Sequence, residues 1–107
     1  MDCAVAAAVD DLVRQDQTTD NKVEVSTDNL KSYPIIGRIS KKITTTSCEV
    51  ILRGVIDVSL TDRGRVYLSA AGDFTIINPG GYLQILGYSF GNGKLHFEPN
   101  AIVTKQN

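Results

Sequence analysis

His96 is the only imidazole in the 107-residue chain. A Ser–His–Asp arrangement would have to be built on it, the ring taking a serine's proton while a carboxylate orients it. It lies between Leu95 and Phe97 in an alternating run, which turns its side chain away from the core those two would join. Asp57 and Asp62 come nearest to a carboxylate pair, and glycoside hydrolysis needs two such groups roughly 5–9 Å apart in a cleft. Asp62, however, precedes Arg63-Gly64 and reads as a turn former. The hydroxyls of Thr44, Thr45, Thr46 and Ser47 have no base beside them in sequence. Cys3 and Cys48 show neither metal-ligand spacing nor a disulfide framework and read as free thiols in a reducing compartment. The run Asn78-Pro79-Gly80-Gly81 is glycine-rich, but it lacks a following Lys-Ser/Thr and opens no helix. It reads as a turn, not a phosphate loop. These residues point to a protein that is not an enzyme, with no catalytic, cofactor-binding or metal-binding residues.

Charge and composition narrow the class further. A formal net charge of -1 gives no basic footprint for nucleic acid and no polybasic patch for an anionic membrane. Arg38, Lys41 and Lys42 form a small basic cluster that reads as a solvated loop. Hydrophobic residues make up 42% and charged residues 21%, the proportions of a soluble globular domain able to fold without metals or disulfides. The apolar run from Cys3 to Val9 is too short for a membrane span and has no basic stretch before it. The chain is therefore expected to be made in the cytoplasm.

The positioning elements read as strands. β-branched and alternating runs at 12–15, 22–26, 34–40, 48–53, 55–60, 65–69, 73–77, 82–90 and 94–98 are separated by turn chemistry. Polar stretches at 16–21 and 27–29 connect the early ones, and Gly91-Asn92-Gly93 is a hairpin signal. Val23/Val25, Val50/Leu52, Val66/Leu68 and Leu95/Phe97 are expected to face the core. The expected fold is all-β, a small antiparallel β-barrel or β-sandwich of eight to nine short strands. Residues 1–10 are read as a short N-terminal arm and 11–107 as the β-domain. The arm is expected to order only on assembly, so that its deletion leaves the domain folded.

A weak internal repeat runs through the domain. Two short strands, an Ile-Gly or Leu-Gly strand and an alternating strand occur once in each half. Ile36-Gly37 answers Leu86-Gly87, and Val50/Leu52 answers Leu95/Phe97, with 55–60 crossing between the halves. Gly37 and Gly87 sit mid-strand, where glycine marks a bend or a close backbone approach. Among the tyrosines, Tyr33, Tyr67, Tyr82 and Tyr88 lack interleaved basic residues and read as core or subunit-interface packing. Val5, Val9, Tyr67, Tyr82 and Tyr88 are the candidate assembly contacts.

The order of elements resembles the small β-rich surface domains of tailed-bacteriophage virions: capsid decoration (cement) proteins, head fibres and tail fibres. The resemblance is carried by Asp11-Leu12-Val13, Pro34 to Ile39, Leu52-Arg53-Gly54-Val55, Val66-Tyr67-Leu68-Ser69 with its glycine turn, Gln84 to Tyr88, and Leu95 to Pro99. It implies a structural, non-enzymatic protein, a homotrimer on the capsid surface bound to the major capsid protein or other virion proteins. The chain has no collagen-like run, coiled coil or spike, which fits a cement protein better than a fibre. Attachment to a receptor or glycan as a fibre domain is the alternative.

Overall fold

Turn residues cut this chain into lengths of two to ten residues, and each length is stabilised by pairing with a neighbour. The computed structural model describes residues 1–27 and 34–105; Tyr33, most of the 27–29 loop and the last two residues of the expected domain lie outside that range. The described residues form twelve strands and no helix: β1 (Asp2–Cys3), β2 (Leu12–Gln15), β3 (Lys22–Val25), β4 (Ile35–Thr44), β5 (Ser47–Ile51), β6 (Gly54–Asp57), β7 (Arg63–Leu68), β8 (Phe74–Thr75), β9 (Tyr82–Leu83), β10 (Ile85–Gly91), β11 (Lys94–Phe97) and β12 (Thr104–Lys105). The fold is all-β, as the sequence indicates.

The first five strands close into a barrel in the order β1-β3-β2-β4-β5. β1 closes it, running parallel to β3 and antiparallel to β5. The second sheet has the order β6-β11-β10-β7-β8, and β9 pairs with β12 as a separate ribbon. Barrel and open sheet thus coexist in one chain.

The two halves share one plan. β2-β3 and β7-β8 are hairpins, β4 and β10 join β2 and β7, and β5 and β11 follow. The register agrees residue by residue. Val13 pairs with Gly37 as Val66 pairs with Gly87, and Arg14 pairs with Ile35 as Tyr67 pairs with Ile85. In both halves the residue between, Ile36 or Leu86, is bulged out of the ladder. A second bulge recurs, with Ile39 and Lys41 flanking it in one half and Ser89 and Gly91 in the other. Both mid-strand glycines exist for close approach. A Cβ on Gly37 would meet the Val50 side chain and lie 2.6 Å from the Ile51 carbonyl oxygen, and one on Gly87 would overlap the His96 carbonyl oxygen.

Two apolar clusters hold the halves together. Cys3, Ala7, Val13, Val23, Ile39 and Cys48 fill the closed barrel. Leu12 and Ile35, from the barrel wall, pack with Ile56, Val66, Leu68, Leu86, Leu95 and Phe97 of the second sheet. Phe74 meets Phe97 edge to face, with ring centroids 6.1 Å apart, a geometry that contributes about 0.5–1.5 kcal/mol beyond its buried area. The buried Gln84 ties the halves by polar bonds as well. Its side-chain oxygen accepts from the Ile35 amide at 2.7 Å, and its amide nitrogen donates to the carbonyls of Ile35 and Asn100 at 2.8 Å each.

Several sequence expectations need correction. The run 82–90 is two strands, parted at Gln84, and within β10 the bulge between Ile85 and Gly87 changes the alternation. Leu86 is fully buried, yet Tyr88, two residues on, is half exposed. Leu52 is exposed rather than in the core. Residues 55–60 do not merely cross between the halves, since Gly54–Asp57 pairs with β11 as the edge of the second sheet. The N-terminal segment is not wholly an outlying arm: Asp2–Cys3 is the closing strand, and Cys3 and Ala7 lie in the barrel core.

Candidate functional site

The register of the second sheet lays Val55, His96, Tyr88 and Arg65 in one cross-strand row over four strands. All four are exposed. Phe90, also exposed, sits beside the row. Its ring is stacked with His96 at 6.4 Å and 13°, and tilted against Tyr88 at 5.8 Å. Alternation puts these side chains outward because Ile56, Val66, Leu95 and Phe97 take the inward positions of the same strands. These exposed side chains, gathered on one sheet face, are the candidate contact surface.

The rim of this face is charged in a defined way. Arg63, paired with Phe90, and Arg65 lie along β7. On the opposite side, Asp57 bonds Lys94, and Glu98 stands 3.8 Å from the His96 ring nitrogen. The Lys94 ammonium, through its hydrogen bond and charge, holds the Asp57 carboxyl below the ordinary carboxylate value. Asp57 is therefore an anion at neutral pH and has no proton to give.

Two hollows of the surface border Arg38. One of about 430 Å³ is lined by Asp10, Arg38, Asp57, Val58, Ser59, Asp73 and Phe74. Arg38 is already engaged there: it donates to the Asp57 carbonyl at 2.9 Å and pairs with the Asp10 carboxylate at 2.9 Å. Neither His96 nor Asp62 borders this hollow. Ser59 therefore has no imidazole across from it, and the carboxylates are taken up by cations or backbone amides. Phe74 N–H, for one, donates to Asp73 at 2.8 Å.

The remaining sequence candidates fall in separate places. Val5 is 70% and Val9 49% exposed on the segment between β1 and β2. Lys42 fastens that segment by donating to the carbonyls of Ala4, Val5 and Ala7. Lys41, Lys42 and Arg38 are thus not one basic cluster. Tyr67 is half-buried and pairs with Ile85, while Tyr82 pairs with Lys105 in the small ribbon. Of the five assembly candidates, only Tyr88 belongs to the exposed row. Val55 and Phe90 were missed. Phe90 could have been found from its two-residue spacing to Tyr88; Val55 could not, since only long-range pairing sets it beside His96.

Cys3 and Cys48 are both buried, with no disulfide between them. Burial, with a hydrogen bond to Cys3, pushes the Cys48 thiol up to about 11, so it stays protonated at neutral pH and packs as a small apolar group. Among the described residues no three His, Cys, Asp or Glu side chains gather to hold a metal ion, and no helix is long and apolar enough to cross a membrane. No family model, curated protein or solved structure matches this chain.

Proposed function

We propose that this chain is a non-enzymatic structural protein of a phage virion, a capsid decoration or cement protein that binds the assembled head and stabilises it. The observation that carries an assembly role is the exposed row Val55–His96–Tyr88 with Phe90, displayed on the outer face of the second sheet. The virion setting comes from the resemblance in element order. The partner is the major capsid protein, and the working form is a homotrimer made in the host cytoplasm and carried on the capsid surface.

The mechanism needs no chemistry. A domain seated across a capsomer boundary adds contacts that must break before the subunits part, so binding shifts the capsid toward its assembled state. Three linked copies raise the effective concentration of each weak contact. The test mixes the purified protein with expanded empty capsids of the phage that carries its gene. Co-sedimentation and a raised capsid melting temperature are expected, and free protein with unchanged capsids overturns the reading.

The stacked Phe90 and His96 rings favour a second reading, a fibre domain that offers ring faces to a sugar. Saccharide binding by a protein that ignores capsids would establish it.

A further inference from the structure

The repeated register shows how the counterpart of the exposed row is packed. Its counterpart in the first half is Leu12–Arg38–Ile51, paired in the same order as Arg65–Tyr88–His96. In the first half that row is covered by the second sheet. Leu12 is 3% exposed, Ile51 packs against the same cluster, and the Arg38 side chain is 12% exposed while it bonds the Asp57 carbonyl. One copy of the five-strand unit thus already docks through this row onto another copy. The same row is repeated on the second unit with rings, Tyr88 and His96, where the first unit has Arg38 and Ile51, and among the described residues nothing covers it: Tyr88, Phe90 and Val55 are 50%, 54% and 66% exposed.

Resting on the homotrimer part of the proposed function, we infer that the Val55–His96–Tyr88 row, with Phe90, is the surface by which three copies of this chain associate. The rim supports a repeating contact. Arg63 and Arg65 stand on the β7 side, and Asp57 and Glu98 on the β6–β11 side, where Lys94, bonded to Asp57, leaves one carboxylate in excess. Around a three-fold axis the basic side of each copy meets the acidic side of the next, and the rings close over the centre. Such a head-to-tail contact leaves no unsatisfied end when successive copies are related by a third of a turn. Opposite charges at the rim fix the register of the copies, while the desolvated rings provide the attraction.

Light scattering after size exclusion tests this on the full chain at about 10 µM, where an oligomer that works by assembly must be populated. The wild type is expected at three chain masses. Tyr88→Glu and Phe90→Ser are each expected to give one chain mass, with circular dichroism unchanged because both side chains lie outside the core. An Arg65→Glu variant is expected to weaken the trimer and become less sensitive to salt than the wild type. Should a variant misfold, covalent labelling of Tyr88 in the wild type across a dilution series reads the same surface, with protection lost as the trimer dissociates. A wild type that stays monomeric, or a trimer indifferent to Tyr88→Glu, overturns the inference. A trimer that fails to bind capsids overturns the cement reading and leaves this surface standing.

Discussion

Gly87 is the residue on which the geometry of the exposed row depends. It adopts φ +149°, outside the range of ordinary L-residues, and its Cα hydrogen faces the His96 carbonyl. Any Cβ there must push β11 away from β10 or flatten the bulge. Either movement turns Tyr88 and unseats Leu86, which is fully buried. Gly87→Ala is expected to cost about 3 kcal/mol or more, since it adds backbone strain to overpacking. Urea unfolding monitored by circular dichroism checks this, and a loss under about 1 kcal/mol would show that the strands can separate there at little cost. Gly93→Ala is a fair comparison. It too has positive φ, but it lies in the hairpin turn, where a shift disturbs only the Val58 carbonyl.

At the scale of elements, β1 has consequences far beyond its two residues. Its Cys3 amide donates to the Thr46 carbonyl, the Cys48 amide donates to the Met1 carbonyl, and β3 lies along its other side. Without it, β3 and β5 become open edges and the barrel core loses Cys3 and Ala7. Removing residues 1–9 is therefore expected to destabilise the domain by about 2–5 kcal/mol, the range for emptying a core position. Thermal melting checks it, and an unchanged Tm would restore the outlying arm. The sequence concealed this because a closing strand of two residues carries no periodicity, and its partners Lys22 and Ser47 are distant in the chain. The turns were legible for the opposite reason. Asn92 adopts φ +53° between Gly91 and Gly93, and local residue type alone signals such a conformation. The exposed row was only half legible: Tyr88 and His96 could be placed on strands, but the bulge that turns Tyr88 outward, and the pairing that adds Val55, depend on contacts between distant residues.

At the scale of the molecule, two units built on one strand plan end differently, one as a closed barrel and the other as an open sheet. In the first half the parallel β1–β3 ladder completes the ring. In the second, β6 and β8 end the sheet, and β8 is only Phe74–Thr75. The inner face of that open sheet is closed instead by the barrel wall, through Leu12 and Ile35. An outside wall can fill an open sheet only if the seam stays apart, so packing of one unit on the other replaces closure of the second ring. The two seams must then differ in local stability. The strand β3 is hydrogen-bonded to neighbours on both sides, whereas β8 has only β7. Native-state hydrogen exchange is expected to show Val23 and Glu24 protected close to the global limit. Phe74 and Thr75 should exchange at least about tenfold faster, by openings that leave the rest of the sheet intact. Equal protection at the two sites would mean that the second unit closes in solution as the first does. The barrel wall would then have to leave the inner face, which the buried Gln84 bonds to Ile35 and Asn100 oppose.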